Sequence, residues 1–123
     1  MNQVSFESEQ VTTEMQGVKV SGNLFWRINE EDEGPFKAYT NLGEDLKSDN
    51  PKTANSNLQQ QASAIVRNEI ANAELRTIMK DRQTLVNAIK KEMQKVCKGW
   101  GVYLEAVEIS EVLVSSGALF KDL

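Results

Sequence analysis

Residues 18–28 alternate between apolar and polar side chains, and no other feature constrains the fold as strongly. In an extended chain, one face of this stretch carries Val18, Val20, Gly22, Leu24, Trp26 and Ile28. A period of two is typical of a strand with one buried face, so we expect Trp26 to lie in the core. A weaker β-prone run covers residues 3–13, and residues 14–17 favour a turn. The sequence therefore predicts a β-hairpin.

Two later segments change to the period of an amphipathic helix. Over residues 56–73, apolar side chains recur every three to four positions, at Leu58, Ala62, Ile65, Val66, Ile70 and Ala73. Ser56 and Gln59 have the spacing of a capping box, which favours a helix start at Ser56. A second helix is predicted from Asp81, a suitable N-cap, to Lys98. Its apolar stripe is Leu85, Ile89, Met93 and Val96. Residues 29–55, which contain both prolines, are predicted to form a long loop.

Alternation returns after the second predicted helix and indicates a last strand. Val102 and Leu104 share one phase, whereas Val107 and Ile109 share the other. A one-residue slip of this kind predicts a β-bulge, here next to Ala106. Strands followed by helices and a further strand predict a single α+β domain. We expect a small antiparallel sheet with two main helices packed on one face.

Composition argues against enzymatic and metal-binding functions. The chain has no histidine, which excludes imidazole bases, Ser-His-Asp triads and histidine-ligated metals. The single cysteine, Cys97, cannot form an internal disulfide or a structural zinc site, and its presence suits a reducing compartment. Glu105, Glu108 and Glu111 are interpreted as part of a solvated sheet face. We therefore predict no catalytic residue, no cofactor and no metal.

Net charge and hydropathy limit the partners. A formal charge of −4 disfavours a general nucleic-acid binder, so no nucleic-acid partner is predicted. No stretch approaches the roughly 20 consecutive apolar residues of a spanning helix. The first six residues have neither the basic nor the apolar region of a signal peptide. We expect this chain itself to be soluble.

Positive charge is concentrated in residues 56–100, which contain eight of the 14 basic side chains. On the second predicted helix, Lys91, Lys95 and Lys98 are spaced i, i+4 and i+7, so they lie along one side of the helix. We call these three residues the basic ridge. Three interpretations remain open for it: contact with anionic lipid head groups, pairing with acidic segments of a neighbouring copy, or simple solvation.

Three blocks of the sequence carry a family resemblance. The first block is residues 11–28, in which the alternating run follows the turn glycine Gly17. The second is residues 64–82, which follow the family's helix pattern and end in an arginine, and the third is residues 100–112, which follow its closing-strand pattern and open with Trp-Gly. In this order they resemble the opening hairpin, the helix and the closing strand of the SPFH (Band 7) domain of stomatins and prohibitins. Gln16 departs from the family pattern, which has Asp or Asn before the glycine. The loop that follows the hairpin is also longer and more acidic than in many stomatins.

The resemblance implies a non-enzymatic, membrane-associated oligomeric scaffold. Members of that family organise membrane microdomains and regulate membrane channels or proteases. By this likeness the parent protein is a homo-oligomer, bound peripherally to a membrane and facing a reducing compartment. In that family a membrane-inserting segment normally precedes the domain and a coiled coil normally follows it. This chain matches neither segment, so the resemblance implies membrane anchorage and ring assembly for a longer parent rather than for this chain. An alternative interpretation is a soluble protein-interaction domain of the same fold without a membrane role, like the shoulder of vault particles.

The last residues are predicted to begin another helix. Leu119 and Leu123 have helical spacing, and in the resembling family a long coiled coil begins near this point. We therefore expect the domain to cover residues 1–116 and a truncated C-terminal helix to start within residues 117–123. Leu119, Phe120 and Leu123 are predicted to be oligomer contacts.

Overall fold

A computed structural model describes residues 2–31, 33–42 and 51–115. Its elements, in chain order, are β1 (Asn2–Val11), β2 (Gly17–Ile28), α1 (Gly34–Leu42), α2 (Lys52–Ala71), α3 (Leu75–Lys80), α4 (Arg82–Gly99) and β3 (Val102–Ser115). The strands form an antiparallel sheet in the order β1-β2-β3, and α2 and α4 pack on one face of it. The predicted α+β fold is therefore confirmed. The predicted boundary after residue 116 and the tail residues Leu119, Phe120 and Leu123 lie outside the described residues.

The first two strands form the predicted hairpin. Their register pairs Asn2 with Trp26 at one end and Val11 with Gly17 at the other. The chain reverses over residues 12–16, where Met15 adopts a left-handed φ of 64°. Gly17 was expected in the turn, but it begins β2 because the turn closes one residue earlier.

The hairpin turn is hydrogen-bonded to the connection between α2 and α3. The Thr13 N–H donates a hydrogen bond to the Ala73 carbonyl at 3.1 Å, and the Leu75 N–H donates one to the Glu14 carboxylate. The second bond is the main cause of the lowered pKa of Glu14, because it stabilises the charged carboxylate. These bonds hold the turn end of the sheet against the helical layer.

The core lies between the sheet and the two long helices. Trp26 is fully buried, as its position in the alternating run predicts, and Phe6 and Leu24 are buried in the same core. The helices contribute one stripe each, with Ala54, Leu58, Ala62, Val66 and Ile70 on α2 and Leu85, Ile89, Met93 and Cys97 on α4. The indole N–H of Trp26 donates to the Asn55 Oδ1 at 3.0 Å, which satisfies its polar atom inside the apolar layer.

Strand β3 contains two irregularities. Phe25 pairs with Ala106 but Trp26 pairs with Leu104, so the backbone register skips Glu105. A similar shift skips Ser110, whose hydroxyl donates to the Ser21 carbonyl at 3.2 Å. The first shift is the predicted bulge, one residue upstream of the expected position. Leu104 and Val107 are three residues apart and would point to opposite faces of a regular strand. Because of the bulge, both side chains face the core.

The helices differ from the prediction in three places. Residues 34–42, expected in a loop, form α1, whose buried stripe is Gly34, Ala38 and Leu42. Helix α2 begins at Lys52, so Ser56 lies inside the helix and the predicted capping box is wrong. A separate short helix, α3, precedes α4. The predicted cap at Asp81 is confirmed, because its carboxylate accepts hydrogen bonds from the Thr84 hydroxyl and N–H, which lower the pKa of Asp81.

Candidate interaction surface on helix α4

The basic ridge lies on the solvent side of α4. The buried stripe of this helix recurs every fourth residue from Leu85 to Cys97. A residue two positions beyond a buried one is rotated by about 200° and so points away from the core, as Lys91 does relative to Ile89. Lys95 and Lys98 follow on the same side, and all three side chains are exposed. Folding therefore leaves the three charges of the ridge available to a partner.

One member of the ridge is partly neutralised. The Lys95 ammonium group lies 3.1 Å from the Glu92 carboxylate, one turn away on the same helix. Exposed pairs of this type contribute about 0–1 kcal/mol, so the pair can exchange for a stronger partner. Among the described residues, neither Lys91 nor Lys98 forms an ion pair. The ridge thus presents two unpaired ammonium groups and one weakly paired group.

The C-terminal end of α4 meets the beginning of α1. Gly101 has a left-handed φ of 73°, and a Cβ atom there would lie 2.1 Å from the Gly34 carbonyl oxygen. The two chain segments can approach this closely only without a side chain at residue 101. Helix α1 also carries the exposed aromatic side chains Phe36 and Tyr39, which are 70% and 53% accessible. This pair was not predicted from the sequence, because residues 29–55 were expected in a loop and α1 is too short to show a clear apolar period.

Acidic residues accompany the aromatic pair at the same end of the molecule. Glu30, Glu31 and Glu33 immediately precede α1, and all three are exposed. An anionic membrane would repel these carboxylates, whereas it would attract the ridge. The ridge is therefore the better candidate for contact with a negatively charged surface.

The outer face of the sheet carries an ion pair rather than a reactive carboxylate. Arg27 Nε donates to the Glu105 carboxylate, and the Arg27 guanidinium lies 4.3 Å from the centre of the Tyr103 ring. This arrangement is a partly exposed surface cluster in which each charge has a partner. Glu108 is exposed, as the solvated-face interpretation predicts.

The cysteine is buried in the helix–sheet interface. Burial of Cys97 raises the pKa of its thiol to about 12, because the apolar surroundings disfavour the thiolate. At neutral pH this thiol is therefore protonated and a poor nucleophile.

Across residues 2–31, 33–42 and 51–115, no three acidic or cysteine side chains converge on a possible metal site. Within the same ranges, no helix combines the length and the apolar character needed to cross a bilayer.

Comparison with known families supports the resemblance seen in the sequence. A family model described as SPFH domain / Band 7 family matches residues 1–118. A search of curated proteins found no significant match. The family match covers every described element, from β1 through β3.

Proposed function

Because the chain belongs to the SPFH domain / Band 7 family, we propose that it is a non-enzymatic, membrane-associated scaffold domain. Domains of this family are generally scaffolds without catalytic activity and are commonly associated with membranes. The match over residues 1–118 is the observation that carries the proposal. The finer role proposed here is that of stomatin- and prohibitin-like proteins, which organise membrane microdomains and regulate channels or proteases.

The proposed membrane contact is made by the basic ridge. Lys91, Lys95 and Lys98 point away from the core in the same direction, so one flat anionic surface can approach all three. Each lysine near such a surface contributes about 1 kcal/mol. Lys95 would contribute less, because contact requires it to leave Glu92. The resulting affinity is weak for one domain and increases when several copies bind together.

Sedimentation with lipid vesicles tests this contact. We expect the chain to bind vesicles that contain phosphatidylserine and not vesicles of phosphatidylcholine alone, and we expect raised salt to release it. Replacing Lys91, Lys95 and Lys98 with glutamate should abolish binding without unfolding the domain. A matched variant replaces Lys52, Arg76 and Lys80, which are also exposed, and changes the net charge by the same amount.

The comparison of the two variants decides between the site and overall charge. Loss of binding in the ridge variant alone supports the proposed contact. Equal loss in both variants would mean that net charge, not the ridge, governs adsorption. If the unmodified chain ignores anionic vesicles, the membrane role fails and the soluble protein-interaction domain becomes the better interpretation.

Self-association through the tail is the second part of the proposal. Leu119, Phe120 and Leu123 supply three apolar side chains within five residues. In the proposed parent oligomer they contact neighbouring copies. Light scattering over a range of protein concentrations should show weak association, and replacing all three with serine should remove it. An unchanged concentration dependence would exclude the tail as a contact.

A further inference from the structure

The two outer edges of the sheet differ in how they are protected. On β1, α2 covers the edge: the Gln59 amide donates to the Ser5 carbonyl at 2.9 Å, and the Ser63 hydroxyl donates to the Glu7 carbonyl at 3.2 Å. These bonds occupy carbonyl groups that another strand would need. The β1 edge is therefore closed to strand pairing.

The β3 edge is open. Within the part of the chain that the structure describes, no side chain or neighbouring backbone donates to, or accepts from, the outward-facing backbone groups of β3. The bulges at Glu105 and Ser110 interrupt this strand and leave a regular segment, residues 106–109, between them. Bulges limit indiscriminate edge pairing. Here they restrict the available edge to a short segment of fixed register.

A groove of about 450 Å³ runs beside this segment, between β3 and α4. Val86, Val107 and Ile109 supply apolar surface, and Arg82 and Lys90 supply positive charge from the helix. Glutamine and asparagine side chains of α4 also line it. The open backbone groups of the β3 edge therefore lie next to an apolar groove, and the helix side of that groove is positively charged.

We propose that the β3 edge binds an extended segment of a partner protein by strand addition. The added strand pairs with residues 106–109, and alternate side chains enter the groove. The positions that face α4 are apolar or acidic, because they meet Val86 and the charges of Arg82 and Lys90. The positions on the other side are basic or neutral, because they lie beside Glu108.

A second copy of this chain is disfavoured as the occupant. An antiparallel β3–β3 pair would bring Glu108 and Glu111 of both copies together on one face of the joined sheet. It would also bring Arg82 and Lys90 of both copies together on the helical side. Like charges in such positions destabilise cross-strand pairing. A head-to-tail arrangement through β1 fails because α2 covers that edge.

A synthetic peptide tests the inference on the full chain. The probe has ten residues, with glutamate and valine alternating on one face and threonine and lysine on the other. We expect saturable binding and slower hydrogen exchange of the backbone amides within residues 106–109. A second peptide, in which glutamate and lysine are exchanged, should bind at least about tenfold more weakly.

Variants of adjacent lysines provide matched controls. Arg82→Glu together with Lys90→Glu should weaken peptide binding by at least about tenfold, because both side chains line the groove. Lys91→Glu together with Lys95→Glu changes the net charge by the same amount on the basic ridge, outside the groove, and should leave peptide affinity unchanged. Both residues belong to the set that should reduce vesicle binding, so failure of this inference is distinguishable from failure of the proposed membrane contact.

Three results would overturn strand addition. The first is that a probe peptide methylated at every second backbone nitrogen binds as tightly as the unmethylated probe, since methylation removes the N–H donors that pair with a strand edge. The second is that the probe peptide and the peptide with glutamate and lysine exchanged bind with equal affinity. The third is protection of residues 106–109 by increasing protein concentration alone, which would identify a second copy as the occupant.

Discussion

Removing the Trp26 side chain is the most informative test of the core. Trp26→Ala replaces a fully buried indole near the C-terminal end of β2, where it packs between the sheet and the helices. The indole also donates a hydrogen bond to Asn55 on α2. The substitution therefore removes both apolar contact and one bond that joins the sheet to the helical layer.

The expected loss in the free energy of unfolding follows from the apolar burial and from the hydrogen bond. A tryptophan buries about 150–250 Å² on folding, which at about 25 cal/mol per Å² corresponds to roughly 4–6 kcal/mol. The alanine side chain retains part of this, and measured losses for such truncations are about 3–5 kcal/mol. The lost hydrogen bond adds about 1 kcal/mol. We expect the free energy of unfolding to fall by about 4–6 kcal/mol, a large part of the stability of a small domain.

Urea denaturation followed by circular dichroism measures this loss. Because Trp26→Ala can leave too little folded protein to measure, Trp26→Phe serves as a second variant that keeps most of the apolar volume. It should cost about 1–3 kcal/mol, partly through the unpaired Asn55 amide. Combining it with Asn55→Ala should cost less than the sum of the two single changes. A loss below about 1 kcal/mol for Trp26→Ala, or strict additivity in the double variant, would refute this account of the core.

Gly101→Ala should lower the free energy of unfolding by at least about 2 kcal/mol, because residue 101 has a left-handed φ and its new methyl group would collide with the Gly34 carbonyl. Gly99→Ala is the matched control: apart from its chain neighbours and the nearby backbone of α4, no described atom lies within 4 Å of its Cβ position, so thermal melting should show little change or a slight stabilisation. Cys97 should resist a thiol-specific reagent at pH 8 in the folded protein and react fully in denaturant, since burial raises the pKa of its thiol to about 12. Rapid labelling of the folded chain would contradict the buried position.

Local sequence determined the elements whose signals are complete within a short window. The alternation around Trp26 specified a strand and its buried face, because successive side chains of a strand point to opposite sides. Asp81 specified the start of α4, because a cap depends on residues within one turn. The change of phase between Leu104 and Val107 specified a bulge. The spacing of Lys91 and its ridge neighbours likewise predicted one helix face, and the structure leaves that face exposed.

Tertiary structure decided the features that depend on distant partners. Helix α1 is stabilised by burial of Ala38 and Leu42 and by the close approach of Gly34 to Gly101, a contact invisible in the local pattern. The state of each sheet edge also depended on packing. In the sequence, nothing distinguishes Gln59 and Ser63 from other polar residues of a helix. In the fold, α2 lies along β1, and these two side chains donate hydrogen bonds to its carbonyl groups. Because α4 offers no comparable bonds to β3, that edge stays open in the described chain, and only the position of the helices on the sheet determines the difference.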